Sequence, residues 1–256
     1  MTFIKPTEEI KNVCDKIDFG IGIFLSKATT SQIGKWESEI ESLILIFHCI
    51  RNLEGVIKLA TNDLSLLLPA RIITRSIFEA AIKSIWLTHN EDKFVNEAKW
   101  LSRIRGEEKH MNELTEKLEI LGIETSSRIE RINKMVDFRK EVETNLNEKG
   151  YELTNEPKLY KMTRKIGLEK FYVYYTMLCD STHSSYNSGD LFRQNLGTKK
   201  RLTEKIELNM WSELLSIAWD LFESASEHFG KVCINESVIY SESFKNNLRL
   251  SMRKIR

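Results

Sequence analysis

Apolar residues recur at helical spacing along almost the entire chain, and this periodicity is the strongest constraint on its fold. Between residues 31 and 61, for example, one stripe carries Ile40, Leu43, Ile44, Phe47, Ile50 and Leu53. No segment keeps the alternation of apolar and polar residues that a half-buried strand requires. The 256 residues include only three prolines and 11 glycines, fewer than a turn-rich all-β fold needs. The sequence therefore predicts an all-α protein, a single-domain bundle of roughly six to eight helices.

Glycines, prolines and short polar segments separate the predicted helices. Gly20 and Gly22 are expected to break the chain after the first helix, Gly122 to end a middle one, and Gly230 to end the last long one. Pro69 is expected in the first turn of its helix, where its missing N–H costs little. The predicted helices cover about 7–17, 31–61, 64 or 69 to 89, 93–121, 125–147, 168–183 and 202–229, with loops at about 150–157 and 184–198.

The chain divides into three parts on this pattern. Residues 1–30 form an N-terminal helix and linker, residues 31–233 the helical bundle domain, and residues 234–256 a basic C-terminal tail. We expect the last residues of the tail to fray, as chain ends commonly do.

Composition and cysteine usage limit where the protein acts and what it binds. The formal charge is +1, with 38 basic and 37 acidic side chains, which excludes a globally basic nucleic-acid coat but not a local basic patch. The N-terminus lacks the basic and apolar regions of a signal peptide, and no apolar run approaches the ~20 residues of a membrane span. Four isolated cysteines are typical of reduced thiols. We therefore expect a cytoplasmic protein that uses no membrane, metal or cofactor.

The helix that begins near Pro69 carries charges on an otherwise apolar surface. Arg71, Arg75 and Glu79 follow one another at four-residue steps and share one stripe. Charges on so apolar a helix must meet solvent in a cleft or find buried partners. One interpretation is an anion-binding or acid–base site lined by Arg75 and Glu79. The other is a structural ion pair, which is common at this spacing.

A second polar group lies where the aromatic helix over 168–183 ends. His183 opens a loop rich in serine and threonine, and Asp180 precedes it by three residues and is placed to orient the imidazole. One interpretation makes His183 a general acid/base, with Arg71, Asp180 and Tyr186 as substrate-binding residues. The other makes His183 a C-cap bonded to the last helical carbonyls.

Two short motifs resemble those of a bacterial helical family of unknown function. The first is R-S-x-F-E-A, here Arg75 to Ala80, and the second is Y-x-x-L-x-x-x-x-H, here Tyr175 to His183. The resemblance extends over residues 43–229. It implies that Arg75, Glu79 and His183 are the residues of interest, and it implies no activity.

A looser resemblance is to the HEPN superfamily of small helical domains, many of which are ribonucleases of toxin–antitoxin and phage-defence systems. Their signature is an arginine followed, after four to six residues, by a histidine. Arg105 and His110 fit with four intervening residues and Arg103 and His110 with six, so these three form a secondary candidate site. The resemblance implies metal-independent chemistry, in which the arginine holds the scissile phosphate and the histidine moves the proton of the attacking 2′-hydroxyl.

Three functional hypotheses follow from these residues. The first is a HEPN-like endoribonuclease of defence or toxin type, in which Arg75 holds a phosphate, His183 is the general acid/base, and Glu79 orients or polarises one of them. The second is a non-enzymatic partner-binding or scaffold module of a defence or toxin–antitoxin complex. The third is a small-molecule or nucleotide sensor that uses Arg71 and Arg75. The expected partners are RNA, a protein such as an antitoxin, and further copies of the chain.

Overall fold

The computed structural model describes residues 3–29, 35–182, 206–236 and 238–255. Within these ranges the chain forms nine α-helices, two short 3-10 turns and no strand, which confirms the all-α prediction. The number exceeds the predicted six to eight because the sequence pattern did not identify the two short helices over 159–165 and 242–252. The helices are α1 (Glu8–Ala28), α2 (Glu37–Asn62), α3 (Leu67–Thr88), α4 (Lys93–Ile120), α5 (Ser126–Glu148), α6 (Leu159–Lys165), α7 (Tyr172–Thr182), α8 (Leu208–Cys233) and α9 (Glu242–Met252).

Helix α3 lies at the centre of the bundle, because apolar side chains cover most of its circumference. It packs chiefly against α2 and α8, and it also contacts α4, α6 and α7. Small hydroxyl side chains bring α2 and α3 close together, and Ser42 and Ser84 share a buried hydrogen bond of 2.8 Å. Ile72 is the exception to the apolar pattern, since 41% of its surface is exposed. Any site built on α3 is therefore carried by the central helix of the fold.

Helix α1 runs through Gly20 and Gly22 to Ala28, so the break predicted at these glycines is wrong. Gly20 lies beneath Trp219 of α8, and a Cβ atom added there would come within 2.4 Å of the indole ring. Trp219 is almost completely buried. Glycine at position 20 therefore serves the close approach of two helices instead of ending one.

Helix α8 likewise continues through Gly230 to Cys233, and the helix end predicted at Gly230 is wrong. A Cβ atom at this position would come within 2.6 Å of the Ile239 side chain. Ile239 belongs to the segment that folds back after α8, and it is buried there. Because Gly230 has no side chain, the segment that contains Ile239 can pack directly against α8.

The C-terminal segment is folded over its described residues, so the fraying predicted for it does not occur there. The Ser241 side chain accepts a hydrogen bond from the backbone N–H of Phe244 at 3.2 Å and caps α9. Leu248, Met252 and Ile255 are buried in the same core as α1 and α8. The sequence pattern missed α9 because its apolar face is narrow and its other residues are polar.

Helices α4 and α5 form a hairpin whose turn contains Gly122 at φ +71°, as predicted for a glycine that ends a helix. Only Ile132 and Leu146 of α5 are buried, so charged contacts hold much of this pair together. Arg139 of α5 binds Glu108 of α4 at 2.9 Å, and Arg105 of α4 pairs with Glu143 of α5. In the described part of the chain, no helix is long and apolar enough to cross a membrane.

Candidate functional site

Arg75, Glu79 and Tyr175 form one polar cluster where α3 meets α7. Arg75 Nε donates to Glu79 Oε1 at 3.0 Å, and Arg75 Nη2 donates to the Tyr175 hydroxyl at 3.4 Å. That hydroxyl in turn donates to Glu79 Oε1 at 3.3 Å. The side chains of Arg75 and Glu79 are 22% and 37% exposed, so the cluster is half-buried and open on one side. The predicted pairing of Arg75 with Glu79 is present in the structure.

Aromatic packing places Tyr175 against α3. Its ring lies 4.9 Å from the ring of Phe78, which precedes Glu79 on α3. The ring of Tyr172 lies 5.4 Å from that of Tyr175, and the rings of Tyr172 and Tyr160 of α6 are 5.0 Å apart. The aromatic composition of α7 therefore serves to dock this short helix, with rings at distances typical of favourable aromatic pairs.

The protonation states in the cluster are set by burial and by neighbouring charge. Burial raises the pKa of Tyr175 to about 12, and the neighbouring Cys179 and Glu79 add to the increase. Burial works to lower the pKa of Arg75, but the hydrogen bond to Tyr175, together with Cys179 and Glu79, raises it. The phenol thus remains a hydrogen-bond donor and the guanidinium remains a cation at physiological pH.

The Arg75 guanidinium has donors to spare. Of its five N–H groups, one binds Glu79 and one binds Tyr175. The other three have no hydrogen-bond partner among the residues that the structure describes. A guanidinium held in this way can present its outer edge to a phosphate or carboxylate.

Arg71, one turn before Arg75, borders a narrow cleft between α3, α7 and α8. Burial lowers the pKa of Arg71, and the charge of Glu213 on α8 opposes this effect. The rest of the lining is mainly apolar and consists of Tyr174, Met177, Leu178, Met210, Leu214 and Ile217. Arg71 is therefore near the cluster but faces a different, drier environment.

The remaining members of the predicted site lie at or beyond the end of α7. Asp180 belongs to the last turn of α7 and is partly buried. His183, the predicted general acid/base, and Tyr186 fall outside the described residues, as does the loop predicted over 184–198. The described residues therefore bring two of the three predicted catalytic residues together.

The secondary candidate residues have separate partners. Arg103 Nε binds Glu41 of α2 at 3.0 Å, and its guanidinium lies 3.9 Å from both Glu107 and Glu156. Arg105 pairs with Glu143 of α5. His110 is exposed on α4. Both arginines thus join neighbouring segments through ion pairs with glutamates.

Family comparison confirms the first resemblance. The model of a family of unknown function, DUF5677, matches residues 42–200, which is more than half of the chain. The chain belongs to this family. The matched region contains both motifs, from Arg75 to Ala80 and from Tyr175 to His183, whereas the comparisons do not show the HEPN similarity. Searches of curated proteins and of solved structures return no match.

The sequence analysis missed a cluster of basic residues at the C-terminal end of α3. The His228 ring stacks on that of His89 at 6.1 Å, and His228 Nε2 lies 3.1 Å from Thr88 Oγ1. Burial lowers the pKa of His228 to about 4, and the charges of His89 and Lys99 contribute. Lys99 Nζ donates to the Trp86 carbonyl at 2.9 Å, and burial lowers the pKa of this lysine to about 8.

This basic cluster has a structural explanation. Lys99 lies at the end of α3 where the helix dipole is negative and satisfies one of the terminal carbonyls. The lowered pKa values of His89 and His228 keep both imidazoles neutral at physiological pH. No sequence pattern marked it, because His89 follows α3, Lys99 lies on α4 and His228 lies on α8. Among the described residues, no three His, Cys, Asp or Glu side chains are grouped so that they could hold a metal ion.

Proposed function

We propose that this protein is an endoribonuclease of defence or toxin type that cleaves RNA without a metal ion. One observation carries the proposal: Glu79 and Tyr175 hold the Arg75 guanidinium in a half-open cluster and leave three of its N–H groups without partners among the described residues. An arginine in this state is suited to bind the two unesterified oxygens of a phosphodiester.

The proposed reaction is an intramolecular transfer. His183 takes the proton of a ribose 2′-hydroxyl, and the resulting oxygen attacks the adjacent phosphorus. The bond to the 5′-oxygen breaks and that oxygen takes a proton from water, so the products are a 2′,3′-cyclic phosphate and a 5′-hydroxyl. His183 then returns its proton to the hydroxide that remains. Arg75 stabilises the negative charge that builds on the phosphate oxygens, and Glu79 fixes the orientation of Arg75.

The experiment is an RNA cleavage assay with purified protein in the presence of EDTA. We expect the parent protein to cleave unstructured RNA, and Arg75→Ala and His183→Ala to lose cleavage while their melting temperatures stay close to that of the parent. The matched control is His110→Ala on exposed α4, which should cleave normally. Absence of cleavage by the parent, or inhibition by EDTA, would contradict the proposal.

A scaffold role is the second candidate, and it is favoured by the turn between α4 and α5. Ile120, Leu121 and Ile123 are 83%, 73% and 50% exposed there, an arrangement typical of a surface that binds another protein. Under this alternative the Arg75 cluster only fastens α7 to α3. Arg75→Ala would then destabilise the fold substantially, and the parent protein would show no cleavage.

A further inference from the structure

We infer that Tyr175 is a positioning residue, which fixes the plane of the Arg75 guanidinium and so determines how that group meets an anion. The inference rests on the proposed function and deepens it. The sequence motif contains Tyr175, but neither its spacing nor its residue type indicated a role beyond packing.

A single contact cannot orient a guanidinium. The Nε–H bond to Glu79 fixes one point, and the planar group can still turn about that bond. The second bond, from Nη2 to the Tyr175 hydroxyl at 3.4 Å, adds a second point. The Tyr175 ring lies against the group, with its centroid 5.4 Å from Arg75 Cζ. These contacts together define the plane and the direction of the outer N–H groups, on which two-point recognition of a phosphate depends.

The Tyr175 hydroxyl also connects the two charged partners. It accepts from Arg75 and donates to Glu79 Oε1 at 3.3 Å, so it can keep both hydrogen bonds only while it is protonated. Its environment favours the protonated form, as described above. The ring itself is fixed by Phe78 and Tyr172, which means that the hydroxyl can be removed without moving the ring.

The test compares Tyr175→Phe with Tyr172→Phe. Each change removes one hydroxyl from a neighbouring ring of α7, but the Tyr172 hydroxyl makes no hydrogen bond with the described residues. Two measurements are made on each protein: kcat and KM for RNA cleavage, and the NMR signal of the Arg75 Nε–H group, assigned by its loss in Arg75→Lys. Melting temperatures establish that both variants are folded.

We expect Tyr175→Phe to lower kcat about 10- to 100-fold with a smaller change in KM, because a misplaced catalytic group costs rate more than ground-state affinity. The Arg75 Nε–H signal should shift or broaden in this variant and stay in place in Tyr172→Phe. A purely structural role would change the melting temperature and leave the kcat of the folded protein intact.

Failure of the inference can be distinguished from failure of the proposed function. If the parent cleaves RNA and Tyr175→Phe cleaves equally well, Tyr175 does not position Arg75 and the inference is wrong. If the parent does not cleave RNA, the proposed function is wrong, and the inference is judged by the Arg75 signal during titration with dimethyl phosphate. A titration that is the same in the parent and in Tyr175→Phe would overturn it, and one weakened only by the loss of the Tyr175 hydroxyl would support it.

Discussion

Gly20 and Gly22 lie two residues apart on α1, and replacing each with alanine should change the stability of the protein in opposite directions. Gly22→Ala adds a methyl group to open space, since nothing lies within 4 Å of the new Cβ atom. Replacing glycine by alanine within a helix gains about 0.5–1 kcal/mol. The same substitution at Gly20 gains the same helix propensity but places the methyl group 2.4 Å from the Trp219 ring.

The Trp219 indole cannot easily move away from that methyl group. Its Nε1 donates to Glu223 at 2.8 Å, and rings of Phe222, Tyr240 and Phe244 surround it at centroid distances of 5.7, 5.2 and 5.7 Å. Overpacking of this kind costs about 1–3 kcal/mol. Because the propensity gain is common to both variants, their difference in the free energy of unfolding isolates the overpacking cost.

The assay is urea unfolding of the parent, Gly20→Ala and Gly22→Ala, followed by far-UV circular dichroism. We expect Gly22→Ala to be more stable than the parent. The free energy of unfolding of Gly20→Ala should be about 1–3 kcal/mol lower than that of Gly22→Ala, and each kcal/mol should lower the melting temperature by about 2–4 °C. Equal stabilisation by both substitutions would show that α8 does not press on α1 at Gly20, and would refute the explanation given for the continuous helix.

Acidification should weaken the fold through His228. The folded state lowers the pKa of His228 to about 4 from the usual ~6.5. The free energy of unfolding should therefore be independent of this group above pH ~6.5 and fall by about 2–3 kcal/mol as the pH drops towards 4. In urea unfolding at several pH values, His228→Gln should reduce this dependence on pH, and His110→Gln should not. Gly230→Ala should destabilise by about 1–3 kcal/mol in the same assay, because its Cβ would meet Ile239. Arg75→Ala should lower the free energy of unfolding by only about 1 kcal/mol, since the i, i+4 ion pair and the contact with the Tyr175 ring are both partly exposed. A loss of about 3–5 kcal/mol that is restored in the double variant Arg75→Ala/Glu79→Ala would instead indicate a structural ion pair.

Local sequence signals predicted the helices well where a residue has a single structural role at its position. Pro69 falls in the first turn of α3, and Gly122 follows α4 with positive φ. The first helix was predicted to start at about residue 7, and the Thr7 side chain caps α1 there by accepting a hydrogen bond from Ile10 N at 3.4 Å. The apolar circumference of α3, visible in the sequence, agrees with its central position. These features depend on the chain near the residue itself, and for that reason they can be recognised without a structure.

Gly20 and Gly230 show where this reasoning fails. A glycine can end a helix or allow another segment to come close, and the sequence around it is compatible with both. The partners here are Trp219, about 200 residues along the chain, and Ile239, in a returning segment. Only the tertiary arrangement distinguishes the two roles.

In the candidate site, too, local contacts could be predicted from the sequence and contacts between distant segments could not. The spacing of Arg75 and Glu79 was sufficient to predict their pairing, because residues four apart on a helix are neighbours. The role of Tyr175 could not be predicted, since it depends on how α7 lies against α3. The spacing of Arg103, Arg105 and His110 fitted a signature, but the glutamates that bind the two arginines lie mainly on other segments and were not visible in that pattern.

The energetics of the Arg75 cluster bear on why such a group lies on the most apolar helix of the fold. An ion pair with this exposure contributes little to stability, about 0.3–0.5 kcal/mol, whereas apolar residues of similar volume on α3 could pack against α7 at least as well. Fastening α7 therefore does not require these charges, because Phe78 and the tyrosines of α7 already provide apolar contact. A cluster that adds so little to the fold, while it keeps donors of Arg75 available on the central helix, supports the proposed role in binding an anion over a role in supporting α7.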